Sequence, residues 1–171
     1  MNIPTLHTER LILRRFFPDD FESYAEIFGD PEVSRYLGTG DPLSRSLAWR
    51  SFAMLVGHWH LRGYGMWAIE EVGTSALIGR IGLFNPEGWP GLELGWALAR
   101  NAWGKGFATE GAQRAMDWAF LDLGVDRLIS LVQPDNFASI RVAKNLGMAV
   151  NGKCKMLGQP VLIFERFGNG G

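Results

Sequence analysis

The chain has 171 residues, a formal net charge of −1 and 47% hydrophobic residues, which allows one domain with a real core and offers nucleic acid no basic surface. No apolar stretch approaches the ~20 residues of a membrane span, so no membrane partner is expected. Charged residues near the start argue against a signal peptide, and a single cysteine excludes an internal disulfide, which favours a cytoplasmic location.

The first third of the chain is predicted to hold one strand and three helical pieces. The strand covers residues 6–16, and Pro18 suits the first turn of a helix that ends at Gly29. A short piece follows Pro31, and a longer helix runs over residues 41–63. The predicted buried face of the longer helix comprises Leu47, Ala48, Phe52, Leu55, Val56 and Trp59.

Three strands with short connections are predicted next, over residues 64–72, 77–84 and 92–99. The second connection, residues 85–91, is longer than the first. It carries an exposed-looking tryptophan, Trp89, and therefore suggests a binding loop.

Residues 100–110 form the most informative stretch. Gly104 and Gly106 stand one residue apart, between a strand and a helix with an apolar stripe. Glycines allow a tight turn and a close ligand, and unpaired N–H groups at a helix start favour an anion. The pattern predicts a nest of backbone N–H groups that binds a phosphate or pyrophosphate. The same pattern also fits an ordinary strand–turn–helix corner that binds nothing. Gly111, inside the helix, costs about 1 kcal/mol relative to alanine.

The C-terminal part is predicted to contain a buried strand over residues 127–133, a helix over 138–146 and a closing hairpin over 149–167. The order of elements indicates a mixed α/β sheet with helices on both faces. We expect a single domain over residues 1–167, followed by a flexible tail at 168–171.

Three sequence blocks lie in order along nearly the whole chain. The first is Thr-Glu-Arg-Leu-Ile-Leu-Arg at residues 8–14. The second joins Glu-Leu-Gly-Trp at 93–96 to Trp-Gly-Lys-Gly-Phe-Ala-Thr-Glu at 103–110. The third is Asn-Phe-Ala-Ser-Ile-Arg-Val at 136–142, followed by Leu-Gly-Met at 146–148. In this order and spacing the chain resembles the GNAT N-acetyltransferase superfamily, and within it the ribosomal-protein N-acetyltransferase-like (RimJ/RimL-like) branch.

The resemblance implies a fold, a donor and an acceptor. The fold is a GNAT-like mixed, mostly antiparallel sheet of about seven strands, splayed in the middle. The donor is acetyl-CoA. The acceptor is a primary amine, on a small molecule or at a protein N-terminus, and transfer is direct within a ternary complex. No metal is implied, and the chain is expected to be a monomer or a homodimer.

In this family, backbone N–H groups of the glycine loop hold the CoA pyrophosphate, and the splayed strand offers backbone groups to the pantetheine. Four of the residues named below also have purely structural interpretations: Asn136 or Ser139 as a helix N-terminal cap, Lys105 as a solvated surface residue and Thr109 as a residue of the first helical turn. The cofactor-binding residues that the resemblance implies are Trp96, Ala97, Leu98, Trp103, Gly104, Lys105, Gly106, Phe107, Ala108, Thr109, Asn136 and Ser139.

Acetyl transfer needs a neutral amine, so a base must take a proton from a group whose pKa is about 8–10. Glu93 is the candidate catalytic base, because partial burial between Leu92 and Leu94 would raise its pKa. The alternative is a solvent-facing glutamate on a strand. The backbone N–H of Trp96 is the candidate to hold the oxyanion.

One departure from the family's pattern concerns the general acid. The position seven residues after Asn136, where many members have tyrosine, is Ala143, and Ser139 becomes the substitute catalytic candidate. This departure leaves open a catalytically idle CoA-binding module. A dinucleotide-binding oxidoreductase is the third alternative, but Thr109 stands where its third glycine belongs.

A few other side chains are considered for chemistry. Cys154 lacks an identifiable base for an acyl-enzyme, so an idle thiol is preferred. His58 and His60 lie two residues apart on a predicted helix and do not share a face, so they do not predict a metal site. Trp89 and Trp103 lie in loops and are the tryptophans expected to contact a ligand.

Overall fold

The computed structural model describes residues 2–168; residues 169–171 of the predicted tail lie outside this part. The strands are β1 Leu6–His7, β2 Leu11–Arg14, β3 Met66–Glu71, β4 Ala76–Phe84, β5 Glu93–Leu98, β6 Arg127–Val132, β7 Ala149–Met156 and β8 Gln159–Phe167. The α-helices are α1 Phe21–Gly29, α2 Pro31–Ser34, α3 Arg45–Arg62, α4 Phe107–Leu121 and α5 Phe137–Asn145, with 3₁₀ turns at Pro18–Asp20 and Arg100–Ala102. No helix within residues 2–168 has the length and apolarity to cross a bilayer.

The strands form one sheet in the order β1-β2-β3-β4-β5-β6-β8-β7. Neighbours are antiparallel except β5 and β6, which run parallel and pair at Glu93 and Ile129. The prediction of a mixed, mostly antiparallel sheet is confirmed. The predicted first strand, residues 6–16, is in fact two strands, because Thr8 and Leu11 exchange hydrogen bonds in a tight turn.

Each face of the sheet carries its own buried cluster. On one face α4 packs so closely that a Cβ added to Gly111 would lie 2.6 Å from Ile81 Cδ1. Close packing on the sheet therefore offsets the helical cost of this glycine. On the other face α1 and α3 cover the sheet around Tyr24, Phe28 and Leu55. Helices on both faces are thus confirmed.

Helix α3 begins at Arg45, whereas the predicted helix began at residue 41. Its buried face also differs from the predicted one. Ala48, Leu55 and Trp59 are buried as predicted, but Leu47 and Val56 are 46% and 44% exposed. Each of the two exposed residues lies one position outside the buried stripe. One position turns a side chain by about 100° around the helix, which is enough to face it away from the core.

Candidate active site

The divergence of β5 from β6 opens into a cavity of about 370 Å³. Helix α3 and strand β4 line one end of it, and β6, the start of α5 and the turn between β7 and β8 line the other. The stretch of β5 from Glu93 to Ala97 lies between the two ends. Strand β5 therefore lies at the middle of the cavity.

Glu93 is half-buried in this cavity. Its Oε2 accepts from the Trp89 indole N–H at 2.7 Å, and its Oε1 lies 3.4 Å from the backbone nitrogen of Leu131. Burial raises the pKa of Glu93 to about 7, against the smaller opposing effects of these two donors and of the Arg80 charge. The carboxyl is thus poised to gain or lose a proton near neutral pH.

The 85–91 loop holds Trp89 in place. Asn85 N–H donates to His58 Nε2 at 3.1 Å, and His58 Nδ1 lies 2.9 Å from the Tyr64 carbonyl oxygen. Burial lowers the pKa of His58, which favours a neutral ring with its proton on Nδ1. The expectation that Trp89 is exposed is wrong, because its half-buried ring packs edge-on against Phe84 and its indole holds Glu93.

Strand β5 loses its partner partway along. Ile129 N–H donates to the Leu92 carbonyl at 2.9 Å. The next link is a side chain, because the Ser130 hydroxyl donates to the Leu94 carbonyl at 2.6 Å. From Gly95 onward, β5 has no paired residue on β6 within residues 2–168. The backbone of β5 is therefore open on this edge.

Successive residues of β5 direct their backbone N–H and C=O groups to opposite sides, which shows which of these groups lack a partner. Ala99 N–H donates to the Ile78 carbonyl of β4 at 2.8 Å, so Trp96 and Leu98, at alternate positions, direct their backbone groups toward the opening. The Leu98 carbonyl accepts from the Trp103 indole at 2.8 Å. The backbone N–H and C=O of Trp96 are thus an open pair on β5, and Trp96 lines the same cavity as Glu93.

The start of α5 closes the far side of the opening. The Trp96 indole donates to Ser139 Oγ at 3.2 Å, and Asn136 Oδ1 accepts from Ser139 N–H at 3.1 Å. Asn136 therefore has the helix-capping geometry that was its alternative. Ala143 is fully buried and brings no polar group to the cavity.

The glycine loop before α4 is a run of free backbone donors. Gly104 and Gly106 have φ values of +73° and +81°, which side chains rarely adopt. The first backbone bond of the helix runs from Glu110 N–H to the Gly106 carbonyl at 3.0 Å. Within residues 2–168, the N–H groups of residues 104–109 have no acceptor. Such a run at a helix N-terminus suits an anion.

A brace from the N-terminal strands fixes this loop. Glu110 accepts from the Thr8 hydroxyl at 2.6 Å and from Arg10 Nε at 2.7 Å, and Arg10 Nη1 donates to the Lys105 carbonyl at 2.9 Å. The Arg10 guanidinium also lies 4.7 Å from the centre of the Phe107 ring. The first and second sequence blocks are therefore in direct contact, which their separation in sequence does not indicate.

The predicted site residues fall into two groups. Lining the cavity are Glu93, Trp96, Ala97, Asn136 and Ser139. Outside it, along the end of β5 and the loop, are Leu98, Trp103, Gly104, Lys105, Gly106, Phe107, Ala108 and Thr109. The side chains of Leu98 and Phe107 are buried, so only their backbones can reach a ligand.

Sequence reasoning gave Trp89 only as a ligand contact, and it assigned no role to Thr8, Arg10 or Arg80. Trp89 holds Glu93, Thr8 and Arg10 hold the loop, and Arg80 lines the cavity. No group of three or more His, Cys, Asp or Glu in the described part of the chain is placed to bind a metal.

Comparison with known proteins agrees with this geometry. The family model described as "Acetyltransferase (GNAT) domain" matches residues 10–149. The uncharacterized N-acetyltransferase p20 of Bacillus licheniformis is 32% identical over 86% of this chain and 84% of its own length.

Two solved structures share the fold. An acetyltransferase from Agrobacterium tumefaciens has a TM-score of 0.86 and 33% identity, covering 97% of this chain and 95% of its own. RimL, a ribosomal-protein α-N-acetyltransferase solved with coenzyme A, has a TM-score of 0.81 over 97% of this chain and 99% of its own. Its 17% identity shows likeness of fold alone. The family match overturns the dinucleotide-binding alternative, and this chain belongs to the GNAT family of acetyl-CoA-dependent N-acetyltransferases.

Proposed function

We propose that this protein transfers an acetyl group from acetyl-CoA directly to a primary amine, with both substrates bound together. The observation that carries the proposal is the pairing of Glu93, whose pKa is raised to about 7, with the open backbone N–H of Trp96 in one cavity. A base and an oxyanion donor in one cavity are what amide formation from a thioester requires.

Glu93 is the proposed base. Amines with a pKa of about 8–10 are mostly protonated at neutral pH, so one proton must leave before attack. The ionised carboxylate takes that proton, directly or through one water, and passes it to solvent. It then takes the second proton, which the nitrogen loses as the C–N bond forms, and releases that proton to solvent after turnover. Trp89 orients the carboxylate through its 2.7 Å hydrogen bond.

Trp96 and Ser139 are the proposed partners of the acyl group. Acetyl-CoA supplies an activated thioester, whose C–S bond breaks as the new C–N bond forms. The Trp96 backbone N–H holds the oxyanion that develops on the carbonyl. The Ser139 hydroxyl, fixed by the Trp96 indole at 3.2 Å, delivers a proton to the leaving thiolate and regains one from solvent.

The residues present suit the donor. The free N–H groups of residues 104–109 are proposed to hold the pyrophosphate, and the backbone of residues 96–98 the pantetheine. Trp103 and Lys105 flank the loop, and Asn136 caps the helix that closes the opening. No side chain within residues 2–168 hydrogen-bonds to the loop's N–H groups, which leaves them available for phosphate oxygens.

The wider proposals are a single acetyltransferase domain over residues 1–167, a cytoplasmic location and a monomer or homodimer. The acceptor is proposed to be a small-molecule amine or a protein N-terminal amine. The second of these and the RimJ/RimL-like branch rest on the resemblance of the three sequence blocks, and the RimL structure shares only the fold.

Two assays test the proposal. CoA at 100 times its Kd should add about 2.7 kcal/mol to the free energy of unfolding, a rise in melting temperature of about 5–10 °C. NAD should give no shift. Acetyl-CoA with a panel of primary amines should then release free thiol in an amine-dependent way. Tight CoA binding without thiol release from any amine would favour the idle CoA-binding module instead.

A further inference from the structure

The end of the cavity that α3 and β4 line, which is the proposed acceptor end, holds a guanidinium without a carboxylate partner. Arg80, on β4, is half-buried and lines the cavity. Its Nη1 donates to the Tyr24 hydroxyl at 2.7 Å and lies 3.4 Å from the Ser51 hydroxyl. No carboxylate within residues 2–168 lies within 4.0 Å of it, whereas Arg14, which is similarly buried, contacts two. Both of its observed partners are neutral.

Aromatic rings fix the orientation of Arg80. Its guanidinium carbon lies 4.6 Å from the centre of the Phe28 ring and 5.9 Å from that of Tyr24. Its Nε and Nη2 have no acceptor among the described residues, and no buried polar side-chain atom there lacks a partner. These two nitrogens are therefore not sealed from solvent, and since Arg80 lines the cavity they are available to donate to a molecule bound there.

Arg80 and Glu93 lie on one face of the sheet. Arg80 pairs with Ala97, Glu93 pairs with Phe84, and the pair between them is Gly82 with Gly95. Four residues along a strand separate the two pairs by roughly 13 Å, and both side chains are long enough to shorten that gap. Arg80 acts on Glu93 across it, since its charge opposes the rise in the pKa of the carboxyl.

We infer that Arg80 binds an oxyanion on the acceptor, so that the preferred acceptor is a primary amine carrying a carboxylate or phosphate several ångströms from the nitrogen. The planar guanidinium offers two parallel N–H donors to such a group. This inference rests on the proposed function, because it assumes that the amine lies at Glu93. The anion of the acceptor then takes the position at Arg80 that the carboxylates of Asp20 and Glu70 take at Arg14.

Matched acceptor pairs test the inference. Butylamine, pentylamine and hexylamine are each compared with the ω-amino acid of the same chain length, and kcat/KM is measured from free thiol release. The wild-type protein should prefer at least one amino acid to its matched amine by about 10- to 100-fold, the range of a charge-assisted hydrogen bond. ω-Aminoalkyl phosphates distinguish the two oxyanions. Peptides with Asp or Asn as second residue apply the same comparison to an N-terminal acceptor.

Variants assign the preference to Arg80. In Arg80→Gln the ratio of the two kcat/KM values should fall close to one, and Arg80→Lys should keep part of it. Arg45→Gln, at an exposed arginine outside the cavity, should keep the wild-type ratio. Because each ratio is measured within one variant, a partly folded preparation does not change it. Ratios near one in the wild-type protein, or an undiminished ratio in Arg80→Gln, overturn the inference.

Binding separates this inference from the proposed function. Calorimetry with the CoA complex compares 6-aminohexanoate with hexylamine in wild-type protein and Arg80→Gln. Arg80-dependent preference for the amino acid without turnover of any amine would refute the proposed catalysis and keep the anion site. Turnover of amines without such a preference would support the proposed catalysis and refute the anion site. Neither turnover nor preferential binding would refute both.

Discussion

The donor side and the acceptor side of the proposed site are built in different ways. The donor side, residues 103–109 together with the Trp96 backbone, is contiguous or nearly so and presents main-chain N–H groups. The acceptor side, comprising Arg80, Trp89 and Glu93, draws its side chains from β4, a loop and β5. Backbone donors tolerate most substitutions except at the glycines, whereas each acceptor-side contact disappears with one side chain. The comparison suggests that donor use is hard to alter and acceptor choice is easy to alter.

The largest effect is expected on the acceptor side. Glu93→Gln should lower kcat by about 10²–10⁴-fold, the range of general-base catalysis, while the Kd for CoA stays unchanged. In the wild-type protein kcat/KM should rise as pH passes about 7, where Glu93 ionises. Trp89→Phe removes a donor that favours the ionised form, so it should move this rise to higher pH. A Glu93→Gln variant within tenfold of wild type would remove Glu93 from the mechanism.

Glu93→Gln, which should lower activity, should raise the free energy of unfolding at high pH. The folded pKa of Glu93 is raised from 4.5 to about 7, so wild-type stability falls as pH rises from 4.5 through 7. Glutamine does not titrate. Glu93→Gln should therefore match wild type near pH 4 and exceed it by about 1–3 kcal/mol above pH 8. Urea midpoints across this range measure the difference; a gap that does not change with pH would contradict the raised pKa.

On the donor side a matched glycine pair isolates ligand binding from strain. Gly104 and Gly124 have φ values of +73° and +72°, and an added Cβ at either meets nothing within 4 Å. Alanine at either position should cost about 1 kcal/mol of stability. Only Gly104→Ala should also weaken CoA binding, by about tenfold, because the methyl group crowds the free N–H groups. Equal CoA affinities in the two variants would argue against the loop as a phosphate site.

The smallest effect concerns the brace behind the loop. Glu110→Gln should lower stability by about 0.5–1 kcal/mol and CoA affinity about two- to threefold, because the loop loses an ionic contact. Its hydrogen bonds to Thr8 and Arg10 lower the pKa of Glu110, although burial opposes them. The stability contribution is therefore present above the unfolded pKa and lost as pH falls through the folded one.

A control for the brace is the exposed pair of Arg45 and Glu22. Glu22→Gln should leave both stability and CoA affinity unchanged within error. An Arg10→Gln and Glu110→Gln double-mutant cycle with no coupling would show that the brace contributes nothing beyond its separate residues.

The donor side was largely predictable from sequence, and the acceptor side was not. Gly104, Gly106 and the helix after them are neighbours in the chain, so local rules are sufficient to predict their shape. The sequence placed Glu93 on a strand and predicted that burial raises its pKa, but it did not predict the Trp89 hydrogen bond that orients the carboxylate.

Long-range contacts account for most of what the sequence did not predict. Arg80 meets the Tyr24 hydroxyl 56 residues away, and Glu110 meets Thr8 across 102 residues. No periodicity links such pairs, because their proximity follows from the order of strands in the sheet. The exposed face of α3 was missed for a similar reason, since its partners decide which part of its apolar surface is covered.

The unpaired edge of β5 also bears on how the protein behaves without its substrate. Main-chain groups exposed along a strand are a template for any other extended polypeptide. Here that edge lies inside the sheet, between two strands that hold each other at one end only. Bound CoA would cover it, so ligand-free preparations are the ones in which self-association and slow aggregation should begin.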